Sequence, residues 1–66
     1  MTIVVNGNNL ACAEDLTVEE LLRQLALSPA AIVVQRNDSI VQRSQYPKTV
    51  LTEGDSLLLI QVVGGG

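Results

Sequence analysis

The sequence predicts an α+β domain in which one helix packs across a single mixed sheet of four to five strands. Three observations point there. One stretch, near Thr17 to Leu25, has helical periodicity and a start signal. Short aliphatic runs lie on both sides of it, separated by Asn, Gly and Asp clusters that read as turns. The whole chain is 66 residues, enough for one core and no second domain. At that size a chain buries only about 60% of the surface its unfolded form exposes, so the fold must be regular and economical.

In chain order, Ile3-Val4-Val5 is a β-branched run stopped by Asn6-Gly7-Asn8-Asn9, residues that tolerate positive φ and close hairpins. Leu10-Ala11-Cys12-Ala13 reads as the returning strand. Thr17-Val18-Glu19-Glu20 matches a capping box, and two acids in the first turn suit the helix dipole. Val18, Leu21, Leu22 and Leu25 then form one apolar stripe, while Pro29 discourages helix at Ser28, which predicts a helix over 18–26. Ala31 to Gln35 is a third strand, turned at Asn37-Asp38-Ser39 into a short partner over Ile40 to Gln42. Residues 43–52 have no clean period and suit a one-turn helix or an edge segment. Glu53-Gly54-Asp55 is a tight turn ahead of the strongest strand signal, Leu57 to Val63.

Composition removes several function classes. The 47% apolar content argues against a disordered chain. Aromatics amount to 2%, so the core is aliphatic and no stacking platform for single-stranded nucleic acid exists. Four basic against seven acidic residues give a net charge of −3, unsuited to a phosphate backbone. With no His and one Cys, neither a metal-ligand cluster nor a Ser/His or Cys/His nucleophile system can be assembled, and Cys12 has no partner for an internal disulfide. No apolar run approaches the roughly 20 residues that cross a bilayer. The expectation is a cytoplasmic protein that is not an enzyme, with no membrane or nucleic-acid partner and no bound metal or cofactor.

Alternation along the last strand separates Leu57, Leu59 and Gln61 from Leu58, Ile60 and Val62, and both sets are largely apolar. If Ile3, Val5, Leu57 and Leu59 meet the helix, then Val4, Leu58, Ile60 and Val62 face outward as a partner-docking patch. Small sheets also carry single exposed aliphatics with no such purpose. Gly64-Gly65-Gly66 then closes the sequence: residues 1–63 are read as the folded body and 64–66 as a flexible tail. A frayed end is the plain reading of three glycines. Yet a peptide without Cβ atoms also fits a channel too narrow for any other residue, and its terminal carboxylate is the least hindered acyl group a protein can offer.

On these residues the chain resembles the ubiquitin-like β-grasp sulfur carriers of the ThiS/MoaD family, and within it the ThiS carriers of thiamine biosynthesis. The similarity runs end to end: the opening strand to Asn6, Thr17 to Leu22, Val34 to Asn37, Ile40-Val41 followed by Arg43, Tyr46, and Glu53-Gly54-Asp55 through Gly66. Gln42 departs from the Pro usual before the Arg, and Arg36 stands where an apolar residue is common. The resemblance implies that Gly66 is adenylated by a ThiF-like adenylyltransferase using ATP and magnesium, because a free carboxylate is a poor electrophile and AMP a good leaving group. A persulfide sulfur originating at a cysteine desulfurase would displace AMP, leaving a thiocarboxylate for a ThiG-like thiazole synthase. Gly64 and Gly65 would thread the partners' channels, the free chain being monomeric and its acids steering it onto basic surfaces. The alternatives are a MoaD-like carrier for molybdopterin synthesis and a β-grasp interaction module whose glycines are idle.

Other singled-out residues have plainer roles. Cys12 reads as a small buried hydrophobe in mid-strand, and Tyr46 as a core or docking plug. Arg43 suits a surface ion pair or a partner contact, Glu53 and Asp55 are turn formers, and Glu14-Asp15 is a solvated loop.

Overall fold

The computed structural model describes residues 1–62. Five strands and one helix follow in the order β1 (Thr2–Val5), β2 (Asn8–Ala11), α1 (Val18–Gln24), β3 (Ile32–Arg36), β4 (Ser39–Val41) and β5 (Ser56–Gln61). Short 3-10 turns at Pro29–Ala31 and Arg43–Gln45 complete the path. The sheet order is β2-β1-β5-β3-β4. β1 and β5 run parallel, and the other neighbouring pairs are antiparallel. The expected helix on a mixed sheet is present, with the last strand in chain order at the centre.

Local chemistry sets each boundary. Asn6 and Gly7 both adopt positive φ, 50° and 85°, which closes a two-residue hairpin between Val5 and Asn8. The returning strand therefore starts at Asn8 and ends at Ala11, earlier than Leu10–Ala13. Cys12 lies beyond β2, partly buried against the core, where it exchanges main-chain hydrogen bonds with Met1. It is not a mid-strand residue. Helix α1 opens on the expected capping box: the Glu20 N–H donates to Thr17 Oγ1 at 3.1 Å, and the Thr17 N–H donates to Glu20 Oε1 at 3.1 Å. The Thr17 main-chain and hydroxyl donors hold the Glu20 carboxyl below its ordinary pKa.

The helix ends at Gln24, short of residue 26. Ala26 turns left-handed at φ 58°, its N–H bonds to the Arg23 carbonyl, and Leu27 N–H bonds to the Leu22 carbonyl. This is a Schellman stop with alanine at the position glycine usually takes. Ala31 belongs to the 3-10 turn, so β3 begins one residue later than expected, and β4 starts at Ser39 and stops at Val41. β5 starts at Ser56 and ends at Gln61. Val63, the expected last residue of that strand, lies outside the described residues together with Gly64, Gly65 and Gly66.

The core is one aliphatic cluster closed by a single ring. Ile3, Val18, Leu21, Leu22, Ile32, Val34, Leu57 and Leu59 meet between sheet and helix, with Leu16, Tyr46 and Leu51 sealing one side. Tyr46 is the core plug, its hydroxyl donating to the Ile32 carbonyl at 2.7 Å. The aperiodic segment 43–52 serves the helix. Its Tyr46 and Thr49 carbonyls accept the N–H groups of Glu19 and Val18, donors that an exposed helix start would leave to water.

Asp55 exceeds the role of turn former. Its buried carboxylate accepts hydrogen bonds from Arg36 Nε at 2.9 Å, Thr52 N at 2.9 Å, Thr52 Oγ1 at 3.1 Å and Asn37 Nδ2 at 3.4 Å. It ties the β3–β4 turn to the start of β5. Burial alone would raise its pKa, but the bonds from Thr52, Arg36 and Asn37 outweigh that and lower it. Arg36, the departure from the family pattern, supplies the ion pair. Because the folded-state value is depressed, this contribution is complete above the ordinary value of 3.8 and is lost as pH falls below it through the folded value. Acid unfolding followed by circular dichroism is expected to show a stability loss below that pH that flattens in Asp55→Asn. At neutral pH Asp55→Asn costs on the order of 1–3 kcal/mol, since the Arg36 charge loses its counter-ion.

Candidate functional site

The alternation along β5 divides its leucines and Ile60 between the core and solvent. Leu57 and Leu59 are buried, whereas Leu58, Ile60 and Val62 are 45%, 44% and 45% exposed. Those three outward assignments hold. Val4 is half-buried rather than open; it sits outside the core cluster, in register with Asn9 on one side and Ser56 on the other. Registers across the sheet extend the patch beyond the four expected residues. Val33 pairs with Ile60, and Ile40 lies beyond Gln35, which pairs with Leu58. Ile40 is the most exposed large apolar side chain of the described residues, at 54%. Sequence reasoning missed Val33 and Ile40 because their strands are too short to reveal phase alone; the phase follows once Val34 is known to face inward.

The outer face is therefore a strip of aliphatics running from Val33 and Ile40 across Leu58 and Ile60 to Val62. It lies on the side of the sheet away from the helix and ends where the described chain ends. The Val62 N–H donates to the Ala31 carbonyl at 2.8 Å, so the chain is held to the sheet up to its last described residue. A shallow depression of about 450 Å³ runs along β4, lined by Arg36, Ile40, Gln42, Gln45 and Thr49 among others.

Asn6 fixes the central strand from the other side. Its Oδ1 accepts the Leu59 N–H at 2.8 Å while its own N–H donates to the Leu57 carbonyl at 2.9 Å. The side chain thus continues the β1–β5 ladder for one step after β1 has turned away. Arg43, expected in an ion pair or a partner contact, makes no ion pair among the described residues; its Nε donates to the Pro29 carbonyl at 3.1 Å and joins the two 3-10 turns. Glu53 Oε1 accepts the Thr2 N–H at 3.0 Å. Gly64, Gly65 and Gly66, the expected site of chemistry, lie outside the described residues.

One helix grasped by a mixed five-stranded sheet, with β5 at its centre, defines the ubiquitin-like β-grasp class. The comparisons narrow the class. Residues 3–66 match the ThiS family. The sulfur carrier protein ThiS of Escherichia coli (strain K12) is 39% identical over 66 residues, covering the whole of both chains. The crystal structure of the thiamine biosynthesis protein (ThiS) from Geobacter metallireducens superposes with a TM-score of 0.85 at 32% identity, again over the whole of both chains. A thiazole synthase of Paramagnetospirillum magneticum is 35% identical over 66 residues, which are all of this chain and 20% of that protein. The chain belongs to the ThiS family, whose members are small sulfur carriers rather than catalysts.

The two faces of β5 respond oppositely to charge. Ile60→Asp keeps the fold, with a midpoint in thermal unfolding lowered by only a few degrees, about 1 kcal/mol or less. Leu59→Asp buries an unpaired carboxylate in the core and unfolds the domain. A cooperative transition for Leu59→Asp at the unaltered temperature would reverse the face assignment.

Proposed function

We propose that this chain carries sulfur for thiazole formation in thiamine biosynthesis, with the Gly66 carboxylate as the group that is charged. The single observation that carries the reading is full-length membership of the ThiS family, glycine terminus included. Its support from the structure is a rigid body whose central strand, buried on one face and apolar on the other, runs directly into the last four residues.

The chemistry assigns each part a task. A carboxylate repels nucleophiles and has no good leaving group, so a ThiF-like adenylyltransferase transfers AMP from ATP, with magnesium, onto Gly66 and releases pyrophosphate. A persulfide from a cysteine desulfurase relay attacks the acyl carbon, and AMP departs. Thiol cleavage of the new sulfur–sulfur bond leaves the thiocarboxylate and a disulfide on the donor side. A ThiG-like thiazole synthase then takes the sulfur. The match to a fifth of a thiazole synthase chain supports that last partner, since there a carrier-like sequence shares a polypeptide named for the synthase. Gly64 and Gly65 thread the enzyme channels, where any Cβ would collide with the wall. The strip of Val4, Val33, Ile40, Leu58, Ile60 and Val62 docks the body.

Intact-mass measurement tests this. Incubation with a ThiF-like enzyme, ATP, magnesium and a persulfide donor is expected to add about 16 Da as one oxygen is replaced by sulfur. Gly65→Val is expected to reduce pyrophosphate release by about two orders of magnitude or more, as misplacement of the reacting group does. Its unfolding midpoint should stay unchanged, because glycine contributes no side chain to a core. An unaltered mass for the natural chain, or normal pyrophosphate release by Gly65→Val, would refute the proposal.

A further inference from the structure

The central strand has an incomplete edge beside the tail. Along β5 the main-chain groups alternate in direction: Val62 donates toward β3, at the Ala31 carbonyl, whereas Leu57 and Leu59 present theirs toward β1, where Asn6 takes them up. The same alternation turns the Gln61 N–H and carbonyl toward β1's side of the sheet. β1 is no longer there. Its pairing with β5 stops at Val5 and Leu57, Asn6 adds one side-chain step, and the positive-φ turn at Asn6-Gly7 leads the chain away to β2 on the far side. Among the described residues, the Gln61 main chain has no hydrogen-bond partner in that direction, and Gln61 is exposed.

We propose that this gap at Gln61 receives an extended segment of the activating enzyme, which hydrogen-bonds to the Gln61 main chain as an added piece of strand in line with β1. The inference rests on the carrier reading above. Three features select such an occupant. The gap is continuous with the apolar strip, since Ile60 and Val62 flank it and are both exposed, so an enzyme covering the strip reaches the gap as well. Only four residues separate Val62 from the reacting carboxylate, a span of at most about 13 Å, so pairing at Gln61 fixes the direction in which that span sets out. And the positive-φ turn at Asn6-Gly7, where β1 leaves the ladder, opens the gap in line with β1, so the occupant that continues the pairing is an extended chain.

Proline distinguishes the two sides of the strand. Gln61→Pro removes an N–H that bonds nothing among the described residues, and it holds Ile60 in the extended region that β5 already uses. The fold is therefore expected to survive, as it is in Gln61→Ala. Ile60→Pro, by contrast, breaks the antiparallel pairing to Val33 and destabilises the sheet. Binding to a ThiF-like enzyme should weaken about tenfold in Gln61→Pro and change less than twofold in Gln61→Ala, the signature of a main-chain contact. Amide hydrogen exchange read by NMR gives the direct view: in the free chain the Gln61 amide exchanges fast between protected Ile60 and Val62, and in the enzyme complex it becomes protected. Protection of Gln61 in the free chain, whether intrinsic or removed by dilution as for a dimer, would overturn the inference. So would an unprotected Gln61 in a complex that still charges the natural chain, or an equal loss in Gln61→Ala and Gln61→Pro. Failure of the natural chain to gain sulfur at all would fall on the carrier reading instead.

Discussion

The pairing of β5 between β1 and β3 is the constraint on which the rest of this molecule depends. A central strand has both main-chain edges engaged over most of its length, so its position is fixed there, and its side chains must divide between the two faces. Here that division puts Leu57 and Leu59 into the core and leaves Leu58 and Ile60 outside. The strand that anchors the core is also the strand that precedes the glycines. A tail rooted in an edge strand or a loop would share the mobility of its root; one rooted in the middle of the sheet begins from a fixed point.

Side chains complete that anchoring at the start and in the middle of the strand. At the start, Asp55 gathers Arg36, Asn37 and Thr52 around one carboxylate and locks the β3–β4 turn to the entry of β5. In the middle, Asn6 substitutes an amide for the main chain of a strand that has ended. Both devices appear where regular pairing stops and a main-chain group would otherwise be left to water. They allow a short chain with little core to hold its longest strand along much of its length.

Much of this was legible from residue types. The Thr17 to Glu20 cap placed the helix start correctly because both halves of the box are local. Asn6-Gly7 announced the hairpin, since few other pairs accept two positive φ values. The alternation of β5 separated its faces, and Tyr46 was rightly read as a plug. Most of what escaped depends on contacts distant in sequence. The parallel pairing of β1 with β5 joins the two ends of the chain, and no local period reports it. Asp55 looked like a turn acid because its partner Arg36 lies 19 residues away. Segment 43–52 lacked periodicity because its carbonyls serve another element's donors. The helix stop was placed late because Ala26 carries a conformation normally signalled by glycine. The wider docking strip, with Val33 and Ile40, emerged only when strand registers were fixed.

The central claim is that sulfur is carried on the chain's terminal acyl carbon and not on its one thiol. Cys12 is partly buried, with its main chain tied to Met1, and it takes no part in the proposed chemistry. Fragmentation of the charged protein in a mass spectrometer decides between the two carriers. The account predicts a gain of about 16 Da confined to fragments that contain Gly66, and undiminished in Cys12→Ala; a gain of about 32 Da on fragments containing Cys12, abolished in Cys12→Ala, would contradict it.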